Sequence, residues 1–128
     1  MANILLIDDS EVVRKLVIYS LERQGHLVEV ASAFKHGLRK LRKTTYDLIL
    51  MDLNLPEIRG EVGIKLLRER LQLTTPIIIL SGEIKIDTVI EMKPLDVSGF
   101  VAKGRDFETR LVQEVTRVLN EKEKEALE

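Results

Sequence analysis

Three short, almost wholly apolar runs constrain the fold of this chain more than any other feature of its sequence. Each is bounded by polar or turn-forming residues, and they occupy Ile4–Ile7, Leu48–Met51 and Ile77–Leu80. Runs of this length and composition are typical of β-strands that are buried on both faces. Two weaker candidates, Leu27–Val30 and Gly99–Ala102, bring the number of predicted strands to five.

Between these runs the apolar residues recur at helical spacing. Ser10 is placed to cap the first helix and Gly25 to end it. Similar spacing follows each later run, except that Pro94 must stop the fourth helix early, so we expect a short helix and a longer loop between residues 83 and 98. Strand and helix therefore alternate five times, which predicts an α/β fold with a parallel sheet and helices on both faces.

Composition narrows the classes of function. A chain of 128 residues is the size of one domain, and its net charge of −1 gives no electrostatic attraction toward nucleic acid or an anionic membrane. There is no Cys, which excludes disulfides and thiolate sites and fits a reducing compartment. No basic leader with a long apolar stretch is visible, so we expect a cytoplasmic protein.

The residues at the carboxyl ends of the predicted strands carry the chemistry, because ligands of open parallel sheets bind at that edge. They are Asp8, Asp9, Asp52, Ser81 and Lys103. Three carboxylates at one edge repel each other unless a cation neutralises them, and an all-oxygen ligand set favours Mg²⁺, with Mn²⁺ as an alternative. Asp52 is then a candidate nucleophile toward a phosphoryl group, with Lys103 as its counter-charge and Ser81 as a hydrogen-bond donor.

Each of these residues also has an ordinary structural interpretation. The pair Asp8 and Asp9 could cap a helix, Asp52 could form a turn, Lys103 could be a surface lysine and Ser81 could cap the following helix. Their joint placement at four strand ends favours the chemical interpretation.

The same residues belong to longer motifs, namely Asp8-Asp9, Met51–Pro56 with Gly60 after it, Ser81-Gly82-Glu83 and Phe100–Lys103. With these motifs the chain resembles, over residues 3 to about 120, the receiver domain of bacterial two-component response regulators. It closely resembles the stand-alone type typified by the chemotaxis response regulator. The resemblance implies a flavodoxin-like, doubly wound (βα)5 fold whose five-stranded parallel sheet has the order 2-1-3-4-5.

The resemblance also implies roles for individual residues. Asp9, Asp52 and the backbone carbonyl of Asn54 would bind Mg²⁺, and Asp8 would act mainly through water. Asp52 would receive the phosphoryl group from a phosphohistidine.

Two further pairs match residues of the family that act after phosphorylation. Ser81 and Phe100 match its switch pair, whose movement remodels the face formed by the fourth helix, the fifth strand and the fifth helix. Asn54 and Glu83 match positions that orient the hydrolytic water, so we expect rapid self-dephosphorylation.

The expected partners are a sensor histidine kinase or phosphotransfer protein and a downstream protein that binds the switched face, with no direct nucleic acid and no membrane. Residues 1–120 would form the receiver and 121–128 a charged helix end, as a monomer or a phosphorylation-dependent dimer. Such a domain is no enzyme in the usual sense, since it catalyses only its own phosphorylation and dephosphorylation.

The geometry of one peptide bond and the choice among three functions are not decided by the sequence. Gly104 follows Lys103 where the family usually has Pro, and because a non-proline cis bond costs about 2.5–4 kcal/mol we expect a trans bond. A pseudo-receiver would keep the fold without phosphorylation, although no acid or lysine of the site is missing. A flavin carrier would need a phosphate-binding loop after the first strand, where this chain has Asp8–Glu11.

Overall fold

Five strands form one parallel sheet in the computed structural model, which describes residues 1–127. The elements of the sheet and its covering helices are, in chain order, β1 (Asn3–Ile7), α1 (Glu11–Glu22), β2 (Leu27–Ala31), α2 (Phe34–Lys43), β3 (Leu48–Asp52), α3 (Gly60–Glu69), β4 (Ile77–Ser81), α4 (Ile86–Met92), β5 (Gly99–Ala102) and α5 (Phe107–Leu127). All five predicted strands and all five predicted helices are present.

The strand order is β2-β1-β3-β4-β5, and every neighbouring pair is parallel. The order implied by the resemblance is therefore confirmed. The second strand is added on one side of β1 and the third on the other. The carboxyl ends of β1 and β3 therefore lie side by side, with Ile7 opposite Met51. This register brings Asp8, which directly follows β1, and Asp52, which ends β3, to one edge of the sheet.

The three central strands β1, β3 and β4 are buried on both faces, which explains why they are apolar without alternation, whereas burial alternates along the edge strands β2 and β5. Leu6 and Leu50 pack into a cluster with residues of α1 and α5, whereas Ile7 and Met51 pack into a second cluster on the opposite face. That second cluster also contains residues of α2, α3 and α4, Phe34 among them. Burying one Leu or Ile side chain stabilises a fold by about 1.5–3 kcal/mol, so the two clusters fix the helices on the sheet.

The predicted helix boundaries depend on local caps. The Ser10 hydroxyl accepts a hydrogen bond from the Val13 amide at 3.3 Å, and Gly25, just beyond α1, has a φ of 89°. The short α4 ends at Met92, and Pro94 lies in the 3-10 turn that follows. The early end that Pro94 predicts is therefore confirmed.

A small antiparallel hairpin, with two residues in each strand, lies in the connection between β3 and α3. It pairs Asn54–Leu55 with Ile58–Arg59, so that Pro56 and Glu57 form its tip. Nothing in the hydrophobic pattern indicates a hairpin, because its strands are too short to show alternation.

Arg68 of α3 joins two loops that flank β4. Its guanidinium donates to the carbonyls of Leu73 at 2.9 Å and Thr75 at 2.8 Å on one side. On the other side it donates to Leu95 at 2.9 Å and Asp96 at 3.0 Å, just after α4. Burial lowers the pKa of Arg68 from its ordinary value, since these acceptors are uncharged. One side chain thus holds the C-terminal end of the α4 region against α3.

The last helix continues past residue 120. Lys122 of α5 reaches the residue before β3, with its ammonium 3.2 Å from the Asp47 carbonyl and 3.7 Å from the Asp47 carboxylate. The Asp47 carboxylate also accepts a hydrogen bond from the Asn3 amide at 2.8 Å. Within residues 1–127, no helix is both long enough and apolar enough to cross a bilayer.

Candidate functional site

Three carboxylates converge where β1 and β3 end. Asp8, Asp9 and Asp52 each place one oxygen within 4.8 Å of the others. Asp8 and Asp52 are buried and Asp9 is exposed, so the cluster opens to solvent on one side. The convergence that strand-end placement predicts is confirmed for these three side chains.

Lys103, just after β5, lies between the two buried acids. Its ammonium is 2.8 Å from Asp8 Oδ2 and 3.3 Å from Asp52 Oδ2. The same Asp8 oxygen is fully buried yet receives no hydrogen bond of good geometry from residues 1–127. One ammonium therefore pairs with both buried carboxylates, and within residues 1–127 no cation pairs with the third, Asp9.

The pKa of Asp52 is raised from its ordinary value. Burial is the largest cause and the neighbouring Asp8 adds to it, while the Asn54 amide and Lys103 oppose it. The folded site therefore disfavours a bare negative charge on Asp52. A second positive charge at the cluster would relieve this cost.

A divalent metal ion fits the residues present. The cluster offers carboxylate oxygens without His or Cys, which suits a hard cation such as Mg²⁺. The observation that supports the fit is that the three carboxylates lie within 4.8 Å of one another, while among residues 1–127 the ion pairs of the two buried ones are made by Lys103 alone. The cluster could thus hold a metal.

Backbone contacts orient the acids. The Ser10 amide donates to Asp8 Oδ1 at 2.8 Å, and the Asn54 amide donates to Asp52 Oδ1 at 3.0 Å. The Leu53 amide donates to the Leu80 carbonyl at 2.9 Å, which holds the start of the loop after β3 against β4. Each buried carboxylate therefore has one oxygen fixed by an amide and the other facing Lys103.

Gly60 allows the loop after β3 to turn closely into α3. A Cβ at this position would lie 2.8 Å from the carbonyl oxygen of Leu53 and 2.5 Å from its Cδ1. The Gly60 amide donates to that same carbonyl at 3.0 Å. The glycine is the first residue of α3 and lies in close contact with the backbone of the preceding loop.

Ser81 and Phe100 lie on neighbouring strands at the same edge. Ser81 is buried, and its hydroxyl donates to the Glu83 carbonyl at 2.9 Å. Phe100 is half-buried and pairs in register with Ile79. A groove of about 600 Å³ lies beside Phe100, between the start of the β4–α4 loop and Arg110 of α5. Phe100 therefore borders this groove while it also packs against the second core cluster.

Asn54 and Glu83 are both exposed, one on each side of the edge that carries Asp52. Asn54 uses its backbone amide for Asp52, and Glu83 uses its backbone carbonyl for Ser81. Neither side chain is hydrogen bonded within residues 1–127. The peptide bond between Lys103 and Gly104 is trans, as expected.

Two contacting residues escaped the sequence reasoning. The Arg14 guanidinium donates to the Asp8 carbonyl at 2.9 Å, and the Glu57 carboxylate accepts a hydrogen bond from the Phe34 amide. Arg14 lies one helical turn after Ser10 and was therefore detectable by spacing. For Glu57 the one signal in the sequence is Ala33 before α2, which cannot cap the helix with its own side chain and so leaves room for an acid from elsewhere.

The profile of the response regulator receiver domain family matches residues 4–116 of this chain. The chain belongs to that family. A receiver domain is a part of a regulator rather than a class of metabolic enzyme, and it implies a histidine kinase or other phosphodonor and a downstream target.

Curated relatives agree with this receiver assignment. The response regulator ArlR of Staphylococcus saprophyticus is 34% identical over 115 residues, which are 88% of this chain and 50% of that protein. The transcriptional regulatory protein AfsQ1 of Streptomyces coelicolor is 36% identical over 115 residues, which are 87% of this chain and 50% of that protein. This receiver thus spans about half the length of these relatives.

Solved structures give the same result. The chemotaxis response regulator CheY4 of Vibrio cholerae has a TM-score of 0.84 and 31% identity, and the match covers 92% of this chain and 98% of that one. A CheY-like receiver domain protein of Methanospirillum hungatei has a TM-score of 0.87 at 23% identity, which supports the fold alone. The flavodoxin-like receiver fold is therefore established.

Proposed function

We propose that this receiver accepts a phosphoryl group on Asp52 in a reaction that requires Mg²⁺, and that it acts in the cytoplasm as a switch between a histidine kinase and a downstream protein. The observation that carries the proposal is the meeting of Asp8, Asp9 and Asp52 with the single ammonium of Lys103. Three acids and one lysine leave a negative site that is completed by a divalent cation and a phosphoryl group.

The residues have distinct roles in this proposal. Asp52 supplies the nucleophilic carboxylate oxygen, which forms a bond to phosphorus while the bond from phosphorus to the donor histidine nitrogen breaks and the imidazole leaves. The hydrogen bond from the Asn54 amide holds the other Asp52 oxygen and so orients the attack. Bound Mg²⁺ would neutralise charge that develops on the phosphoryl oxygens.

The metal would be held by Asp9, Asp52 and the backbone carbonyl of Asn54, with Asp8 acting through water; Mn²⁺ is an alternative ion. Lys103 would pair with the new phosphoryl charge, because its ammonium already lies 3.3 Å from Asp52. Ser81 would donate its hydroxyl to the phosphoryl group, and Phe100 would turn into the space that this movement opens. Such a change is a population shift driven by a local charge.

The switched surface in this proposal is the face of α4, β5 and α5. Ile86 and Ile90 of α4 are 71% and 58% exposed, which makes this face apolar enough to bind a protein. We also propose that residues 1–120 form the receiver and that the charged residues 121–128 are its helix end.

The decisive experiment incubates the protein with acetyl phosphate and Mg²⁺ and measures its intact mass. A gain of one phosphoryl group that requires Mg²⁺ and disappears in Asp52→Ala supports the proposal, and Asp87→Ala, which removes an exposed acid of α4, is the matched control. No mass gain and no response to beryllofluoride at millimolar Mg²⁺ would favour the pseudo-receiver. An unchanged gain in Asp52→Ala would assign the acceptor elsewhere.

A further inference from the structure

The hairpin between β3 and α3 carries Asn54, and its Leu55 is buried in the second core cluster. Among residues 1–127, a single hydrogen bond joins the tip of the hairpin to α2. The Glu57 carboxylate accepts a hydrogen bond from the Phe34 amide at the start of α2. Among residues 1–127, no other hydrogen bond joins residues 54–58 to an element other than β3 and α3.

This contact caps α2 from a distance. The residue before the helix, Ala33, has no side-chain oxygen, and the first turn of α2 contains no acid. Amides at a helix start lack partners within the helix and favour a negative charge nearby. Glu57 supplies both the acceptor and the charge.

The start of α2 is a firm support for the hairpin. Gly37 of α2 lies against Ile7, so closely that a Cβ would approach its Cδ1 to 2.5 Å. The ring of Phe34 packs in the same way against Gly63 of α3. Because Ile7 directly precedes Asp8, the first part of α2 packs against the strand that leads into the acid cluster.

The hydrogen bonds form a path around the cluster. The Asp8 amide donates to the Ala31 carbonyl at 3.0 Å, at the end of β2. Three residues after Ala31, the Phe34 amide donates to the Glu57 carboxylate at the tip of the hairpin. The Asn54 amide of the same hairpin donates to the Asp52 carboxylate. Within residues 1–127, Glu57 makes the hydrogen bond of this path that joins the hairpin to α2. Without it, the packing of Leu55 and Ile58 against the second core cluster is what holds the hairpin on that side.

We infer that Glu57 is a positioning residue of the metal site. This inference rests on the proposed function, in which the Asn54 carbonyl is a metal ligand. Mg²⁺ requires nearly octahedral geometry, so a loop that places one of its ligands must be held in advance. Glu57 lies outside the carboxylate cluster and acts through the position of the loop.

Mg²⁺ titration followed by amide chemical shifts tests the inference with two complementary variants. E57D keeps the charge but is one methylene too short to reach Phe34, so its Kd for Mg²⁺ is expected to rise about threefold to tenfold, below the range of direct ligand partners. E57Q loses the charge but keeps an oxygen acceptor, so its Kd is expected to stay within about twofold and its Phe34 amide to stay hydrogen bonded. Glu22→Ala, an exposed acid at the opposite edge of the sheet, is expected to leave the Kd unchanged.

The opposite ranking, with E57Q weak and E57D normal, would mean that Glu57 acts by long-range charge alone and would overturn the inference. Unchanged affinity in both variants would overturn it as well, whatever their thermal stability. Failure of the wild-type protein to bind Mg²⁺ would instead contradict the proposed function, so the two failures are distinguishable.

Discussion

Ser81 Oγ donates a hydrogen bond to the backbone carbonyl of Glu83 at 2.9 Å, so the hydroxyl of the proposed switch is held by its own loop. We expect phosphorylation to break this bond and loosen the loop that leads into α4. Hydrogen exchange of residues 82–92 is therefore expected to change when wild-type protein binds beryllofluoride with Mg²⁺.

In Ser81→Ala the same ligand is expected to bind with little change in exchange of that segment, because no hydroxyl is left to move. Ser32→Ala, which alters an exposed serine, serves as the control. A full wild-type response in Ser81→Ala would show that Ser81 does not couple the two regions.

Asp52→Asn is expected to stabilise the metal-free protein at pH 7 by about 1 kcal/mol, because the variant removes a buried charge that the fold disfavours. The folded pKa of Asp52 lies above its ordinary value of 3.8, so the folded state holds the proton more tightly than the unfolded state. The stability of the wild-type protein therefore falls as pH rises from 3.8 through the raised pKa, and above that range the loss is complete.

Urea unfolding of both proteins at pH 7 and near pH 4 measures this difference. The advantage of Asp52→Asn is expected to shrink toward the acid pH and to shrink also when Mg²⁺ is added at pH 7. A variant less stable than wild type at pH 7 without Mg²⁺ would contradict the argument.

Lys103→Ala is expected to destabilise the metal-free protein by about 1–3 kcal/mol, because the buried acids Asp8 and Asp52 lose their counter-charge. Added Mg²⁺ is expected to restore part of this loss. Some phosphorylation is expected to remain, whereas the exchange response of the α4 region is expected to disappear. Lys65→Ala on exposed α3 surface is the matched control, and a normal response in Lys103→Ala would remove Lys103 from the switch.

Rapid loss of the phosphoryl group is expected because Asn54 and Glu83 keep free side chains at the open side of the site. Asn54→Ala and Glu83→Ala are each expected to lengthen the lifetime about threefold to tenfold, since they remove groups that orient water. Intact mass measured over time after removal of acetyl phosphate gives the rate, with Glu91→Ala as the control. A wild-type acyl phosphate that persists for hours in Mg²⁺ is the result that rejects this prediction.

Arg68→Met is expected to lower the free energy of unfolding by about 2–4 kcal/mol, because carbonyls in two loops lose the same donor. The exposed neighbour Arg70, which makes no side-chain hydrogen bond in residues 1–127, provides the comparison, and Arg70→Met is expected to change stability by less than about 0.5 kcal/mol. Urea unfolding measures both. Equal effects of the two substitutions would show that the bonds of Arg68 contribute little.

The strands and the residues that follow them could be predicted from sequence, because both depend on residue types that are adjacent in the chain. A strand buried on both faces must be apolar throughout, as Ile77–Leu80 is, and an acid directly after such a strand must lie at the sheet edge. The placement of Asp8 and Asp52 follows from those two facts, and that of Lys103 from its position directly after the weaker strand Gly99–Ala102. The strand order and the separate roles of the acids came from the family resemblance, because the apolar pattern does not encode them.

By itself, then, the sequence determined the five βα units and the residues at the strand ends, while the tertiary structure alone decided which groups contact them. Glu57 and Phe34 are 23 residues apart, and Lys122 and Asp47 are 75 apart, so no periodicity connects either pair. Arg68 likewise has an ordinary helix position, yet it binds loops on both sides of β4. The physical reason is that burial selects residue types along the chain, whereas side-chain hydrogen bonds depend on distances that exist only after the helices pack on the sheet.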